Sequence, residues 1–205
     1  MTCRAARISG TNAPMRRVLS AIVLSGATAL QSGPALADSD HALGLSFGLG
    51  LAFPMQKNGQ DVNGRGEGGF AEAEYIYRAT EWITPRLYAG ALLTSPKSDC
   101  GAGVAPCDVS ARIFFLGGKF RVMAPIPWVG PFLELGLGAS VGRLSTRSGQ
   151  DVDLTSSGVT YHVPASLGLA IGSRHEFEIS FQYLFHPAQK QVSGAAALGL
   201  VLNLG

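Results

Sequence analysis

The sequence predicts an all-β fold, an eight-stranded antiparallel up-and-down transmembrane β-barrel, and three observations predict it. First, residues 43–53 carry Leu43, Leu45, Phe47, Leu49, Leu51 and Phe53 at every odd position, with only Gly, Ser or Ala between them. Successive strand side chains point to opposite faces, so one face is bulky and apolar and the other nearly empty. Second, seven more runs of this period follow, separated by segments of turn chemistry. Third, the separations alternate between short and long, the pattern of barrels with short turns at one membrane surface and longer loops at the other.

A leader precedes the first strand. Arg16 and Arg17 stand before the apolar run VLSAIVLSGATAL, which ends in PALA ahead of Asp38. That layout is a secretory signal peptide with a small-residue cleavage site, predicted to span residues 1–37. Translation from Met15 would give a leader of more ordinary length and the same mature chain. Removing Arg4, Arg7, Arg16 and Arg17 lowers the basic residues from 16 to 12 against 14 acidic ones, so the formal charge falls from +2 to −2. The basic balance therefore belongs to the leader and gives no support for a nucleic-acid partner. Beyond it no run approaches the roughly 18 apolar residues of a membrane-spanning helix. Charged residues are nevertheless only 15% of the chain, so the expected route across a membrane is by strands, with residues 38–205 as the barrel domain.

The runs follow in order. HALGLSFGLGLAF leads through the Gly- and Asn-rich stretch 54–69 to FAEAEYIYR, where Ala71, Ala73, Tyr75 and Tyr77 oppose Glu72, Glu74 and Arg78. A short break, ATEW, precedes ITPRLYAGALL, with Pro85 near its start, where a missing N–H is tolerated. The polar stretch 95–110 separates it from ARIFFLGGKFRVM, in which Phe114, Leu116, Phe120 and Val122 oppose Gly117, Lys119 and Arg121. After the short APIPWVG, PFLELGLGASVG repeats the opening pattern, with Leu133, Leu135 and Leu137 against Glu134, Gly136 and Gly138. The polar segment 143–158 is expected to be a loop. VTYHVPASLGLAIG follows, with Pro164 an anomaly in a paired strand, then the SRHE turn, FEISFQYLF, HPAQKQ and a final run from Val192.

With the bulky face turned to lipid, the inward set contains Glu72, Glu74, Arg78, Arg86, Tyr88, Lys119, Arg121, Glu134, His162, Glu178 and Gln182 among many small residues. Four acids meet four bases. Eight strands enclose an interior that side chains just fill, and buried charges are costly unless paired, so a salt network plugging the lumen is expected. A soluble ligand-binding barrel would invert the faces, and the Gly-, Ala- and Ser-rich face would make a poor coat against water. Tyr75, Tyr77, Trp82, Trp128 and Phe177 near one set of strand ends and Phe53, Tyr161, Tyr183 and Phe185 near the other fit interface girdles.

Cys100 and Cys107 flank GAGVAP, and in an exported chain such a pair is expected to close a small loop disulfide. A metal pair is the alternative, but no His, Asp or Glu cluster beside it completes a tetrahedral site. No phosphate-binding Gly loop appears, and no cofactor is expected.

The leader, the strand count and the segment PFLELGLGASVG make the chain resemble the small eight-stranded bacterial outer-membrane barrels of the OmpA and OmpX type. The resemblance covers residues 38–205. It implies residence in the bacterial outer membrane, contact with outer-membrane lipid and lipopolysaccharide, insertion by the outer-membrane assembly machinery, and a structural or surface-interaction role in which the outer loops meet an extracellular ligand or host surface. Those barrels usually end in an aromatic residue, whereas this sequence ends Asn203-Leu204-Gly205. The order PFLELGLG, a loop and a late strand ending in His186 is also similar to the lipid A deacylases. They carry a catalytic Ser two residues after that His, where this chain has Ala188. A hydroxyl nucleophile and its base are what acyl transfer needs, so His186 is expected to be a loop-edge histidine, and neither His162 nor His175 has an evident nucleophile. The expected class is a non-enzymatic barrel, with lipid A or phospholipid acyl hydrolysis and a narrow channel as alternatives.

Overall fold

In a computed structural model of the chain, residues 40–54, 65–97, 108–148, 152–189 and 191–204 are described. They lie in one compact unit, Ala37–Gly205. Eight strands, β1 (His41–Pro54), β2 (Arg65–Tyr77), β3 (Ile83–Lys97), β4 (Asp108–Met123), β5 (Trp128–Ser148), β6 (Val152–Gly172), β7 (Phe177–His186) and β8 (Gln191–Asn203), form a closed antiparallel barrel in sequence order. β1 closes the ring on β8 with the register Phe47↔Leu198 and Gly48↔Ala197. The leader (1–37) and Cys100 and Cys107 lie outside the described residues.

Alternation decides which face is which. Phe47, Leu49, Leu87, Phe114, Leu116, Phe120, Leu137 and Phe181 are exposed on the outer wall, while their sequence neighbours point inward. A soluble protein rarely shows so continuous an apolar surface; a wall in lipid must. Trp82, Trp128 and Phe177 are exposed at the end of the barrel with the short connections, and Tyr161 and Tyr183 toward the opposite rim.

Two expectations are corrected. The segments 54–69, 95–110 and 143–158 are not wholly loops: β2 begins at Arg65, β3 runs to Lys97, β4 begins at Asp108, and β5 and β6 are paired as far as Ser148↔Val152. Their polarity marks strand whose outward face has cleared the lipid, so that an apolar residue at every outward position is no longer required. The inward face is also not only polar and small. Phe70, Leu92, Val109, Ile113, Phe115, Leu144 and Leu184 are buried inside, in one apolar cluster toward the end with the long connections. Leu92, Ile113, Phe115 and Leu184 sit where large apolar residues are adjacent, as in Leu92-Leu93 and Phe114-Phe115, so one of each pair must face in, whereas Phe70, Val109 and Leu144 are single apolar residues on the inward parity.

Pro164 is accommodated locally. The β5–β6 register runs to Leu135↔Ala165 and resumes at Gly138↔His162, so the ladder lapses where proline has no N–H to give. On its other side Pro164 stays opposite Leu184 of β7.

Candidate functional site

The lumen is the candidate site, because every described ionisable side chain buried in the protein converges there. β2 supplies Glu72 and Glu74, β3 Arg86, β4 Lys119 and Arg121, β5 Glu134 and β7 Glu178, and all seven are buried. They fall on the inward parity of strands whose outward residues are large and apolar, so turning the wall to lipid forces the charges inside.

Their contacts form one connected cluster. Arg86 donates from Nη1 to Glu74 Oε2 at 2.5 Å and from Nη2 to Glu178 Oε1 at 3.3 Å. Lys119 Nζ donates to Glu72 Oε1 at 2.9 Å, pairs with Glu134 Oε2 at 3.1 Å, and also contacts Glu74. Arg121 grips Glu178 with both terminal nitrogens, at 2.5 and 2.7 Å, and Glu134 through Nε at 2.7 Å. Its guanidinium lies 3.5 Å from the Phe132 ring centroid. The planar fork of arginine suits such multiple carboxylate contacts, which a lysine point charge does not reproduce. Arg78 sits apart from this centre: it follows the last residue of β2, is half-buried, and donates to Asn203 Oδ1 at 2.7 Å. It lines a vestibule of about 400 Å³ at the short-turn end, floored by Arg86, Arg121 and Glu178 and rimmed by Glu81, Ile126 and His175.

Above the charges lies a polar chain that corrects the reading of the histidines. His186 does end β7 at the edge of the connection, but its side chain points into the lumen and is fully buried. Ser140 Oγ is 2.8 Å from His162 Nδ1 and 3.1 Å from His186 Nε2, and His162 Nε2 is 2.7 Å from the Tyr88 hydroxyl. His162 and His186 therefore do have a hydroxyl neighbour. Strand parity carries the signal: Tyr88, Ser140, His162 and His186 all fall on inward positions, and the β5–β6 register sets Ser140 opposite Thr160, two residues from His162.

A serine between two imidazoles has the elements of a nucleophile and base. Hydrolysis also requires the substrate carbonyl to reach the hydroxyl within about 3 Å. Ser140 is 1% exposed and both histidines 0%, with Phe115 edge-on to His162, so a lipid on the outer wall cannot reach them. Among the described residues no group of three metal-ligating side chains has metal-binding geometry.

No protein-family model matches the chain, and no curated protein matches it in sequence. Solved structures do. Neisserial surface protein A aligns with a TM-score of 0.56 at 12% identity, over 81% of this chain and 98% of that one. The chain has the fold of the small bacterial outer-membrane barrels. Ail of Yersinia pestis (TM-score 0.43, 15% identity, 80% of this chain and 97% of Ail) and the N-terminal barrel of Pseudomonas aeruginosa OprF (0.47, 11%, 80% and 98%) also match. At these identities the likeness speaks to architecture and not to partners.

Proposed function

We propose that the protein is an outer-membrane barrel that conducts nothing through its lumen and works through what it presents: an apolar wall to lipid and its longer connections to the outside. One observation carries the reading. Seven ionisable side chains of both signs are buried and mutually paired inside a wall whose outer face is apolar. Eight strands leave room for little else, so Glu72, Glu74, Glu134 and Glu178 with Arg86, Lys119 and Arg121 act as a plug, and Arg78 helps close the vestibule below it. The leader 1–37 delivers the chain for insertion by the assembly machinery, outer-membrane lipid and lipopolysaccharide surround the wall, and an extracellular ligand or host surface is met by the connections 55–64 and 98–107. A Cys100–Cys107 disulfide stiffens the second of these. The sealing of Ser140, His162 and His186 supports a structural role for them over acyl hydrolysis.

Two measurements on the full chain test this. In planar bilayers the purified barrel gives no conductance steps above those of the bare membrane; regular steps abolished by a lumen substitution would overturn the plug. On intact expressing cells, added trypsin cuts in the connections, which carry Lys57 and Lys97 at their margins. Cleavage only after the outer membrane is permeabilised would overturn the outward presentation.

A further inference from the structure

Among the described residues, the outer wall carries one cross-strand pair of like charges with no counter-ion. Arg112 of β4 and Arg143 of β5 are direct cross-strand partners, both exposed and both on the outward face. Facing residues of this kind hold their Cβ atoms about 4.5–5.5 Å apart, and like charges so placed repel. Among the described residues neither arginine has an ion pair or hydrogen-bond partner. Arg65, by contrast, is paired with Glu67 at 2.9 Å.

Height on the wall identifies what the pair faces. Below it the outward columns are apolar: Phe114, Leu116, Phe120 and Val122 on β4, and Val141, Leu137, Leu135 and Leu133 on β5, with only Gly118 and Ala139 interrupting. From Val122 to Arg112 is ten residues, about 33 Å of strand at 3.3 Å per residue, or about 25 Å of height at a 40° tilt. That is the thickness of the apolar band in barrels of this class. The two guanidiniums thus stand at its far rim, where headgroups replace acyl chains. Immediately beneath Arg143, Gly142 and Gly158 are opposite each other in the β5–β6 ladder with φ of 149° and 121°, conformations only glycine adopts without strain.

We propose that Arg112 and Arg143 form a clamp for a phosphate monoester of the glucosamine headgroup of lipid A in the outer leaflet. The inference rests on the outer-membrane reading above. Two planar forks carried by directly paired residues of neighbouring strands offer a tetrahedral oxyanion several charge-assisted hydrogen bonds. The anion in turn removes the repulsion between them. Phe114 and Val141 beneath provide apolar contact for the first part of an acyl chain, so headgroup and tail are met by one vertical strip of wall.

The test uses the full chain in phosphatidylcholine nanodiscs doped with diphosphoryl lipid A, fully dephosphorylated lipid A or phosphatidylglycerol, with co-purified lipid counted by native mass spectrometry. Wild type is expected to retain diphosphoryl lipid A about tenfold more than either control lipid, and Arg112→Gln/Arg143→Gln to lose that preference, a change of about 1.4 kcal/mol. Arg112→Lys/Arg143→Lys should keep part of it. Equal retention of the diphosphoryl form by wild type and the double Gln variant overturns the clamp, and equal retention of phosphatidylglycerol and diphosphoryl lipid A by wild type overturns the monoester assignment. Heat-dependent gel mobility, read on each sample, separates these from failure of the underlying reading: without that shift in wild type, it is the membrane barrel that fails.

Discussion

Replacing Arg121 by methionine asks whether the lumen is a dry, paired core or a hydrated channel. Arg121 donates three charge-assisted hydrogen bonds, two to Glu178 and one to Glu134, all between 2.5 and 2.7 Å. At about 1.5–3 kcal/mol each, simple addition would give roughly 4.5–9 kcal/mol. Both acids keep other cations, however: Arg86 Nη2 remains 3.3 Å from Glu178, and Lys119 Nζ 3.1 Å from Glu134. Methionine also retains much of the contact with Phe132. The expected loss is therefore about 3–5 kcal/mol, the range for removing one partner of a buried pair. Equilibrium urea unfolding of the barrel in lipid vesicles, followed by tryptophan fluorescence, reads it. Because the penalty comes from stranded carboxylates, Arg121→Met combined with Glu178→Leu should lose less than Arg121→Met alone. A loss below about 1 kcal/mol for the single variant would refute the reasoning, since it is what water-screened charges give.

Three further outcomes follow from the wall and the closure. Leu137 lies opposite Gly118, midway between Phe114 and Val122, so Leu137→Arg should cost about 2–4 kcal/mol in vesicles and Val159→Arg, near the rim, about 0–1; equal costs at both positions would contradict the lipid-facing assignment. A Cβ on Gly48 would lie 2.0 Å from the Ala196 carbonyl oxygen, so Gly48→Ala should destabilise the β1–β8 seam by about 1–3 kcal/mol, seen as a lower urea midpoint at unchanged slope. Tyr88→Phe leaves His162 Nε2 buried without its 2.7 Å partner and should cost about 1–3 kcal/mol in the same unfolding measurement; an unchanged midpoint would show that water replaces the hydroxyl.

The barrel was legible because period-two alternation is a direct image of a wall with two different solvents, and the lumen charges were legible as its inward parity. Reading failed where that contrast fades. Above the lipid the outward face is wet, so residues 143–148 and 152–157 look like loop although they are paired strands. Inside, Phe70, Leu92, Ile113 and Phe115 fill space between strands distant in sequence, and a pattern read along one strand carries no record of the opposite wall. The Tyr88–His162–Ser140–His186 chain was missed for the same reason: its members come from four strands, and only the register shows that they meet. Arg112 and Arg143 stand 31 residues apart in the sequence, and nothing short of strand pairing brings them together.

The account rests on the apolar face being turned to lipid, and refolding residues 38–205 into detergent-free phospholipid vesicles tests that most directly. The prediction is a vesicle-bound protein that resists added protease across its strands and runs faster on a gel before boiling than after it. A protein that remains soluble without lipid or detergent, with the same mobility before and after boiling, would contradict it.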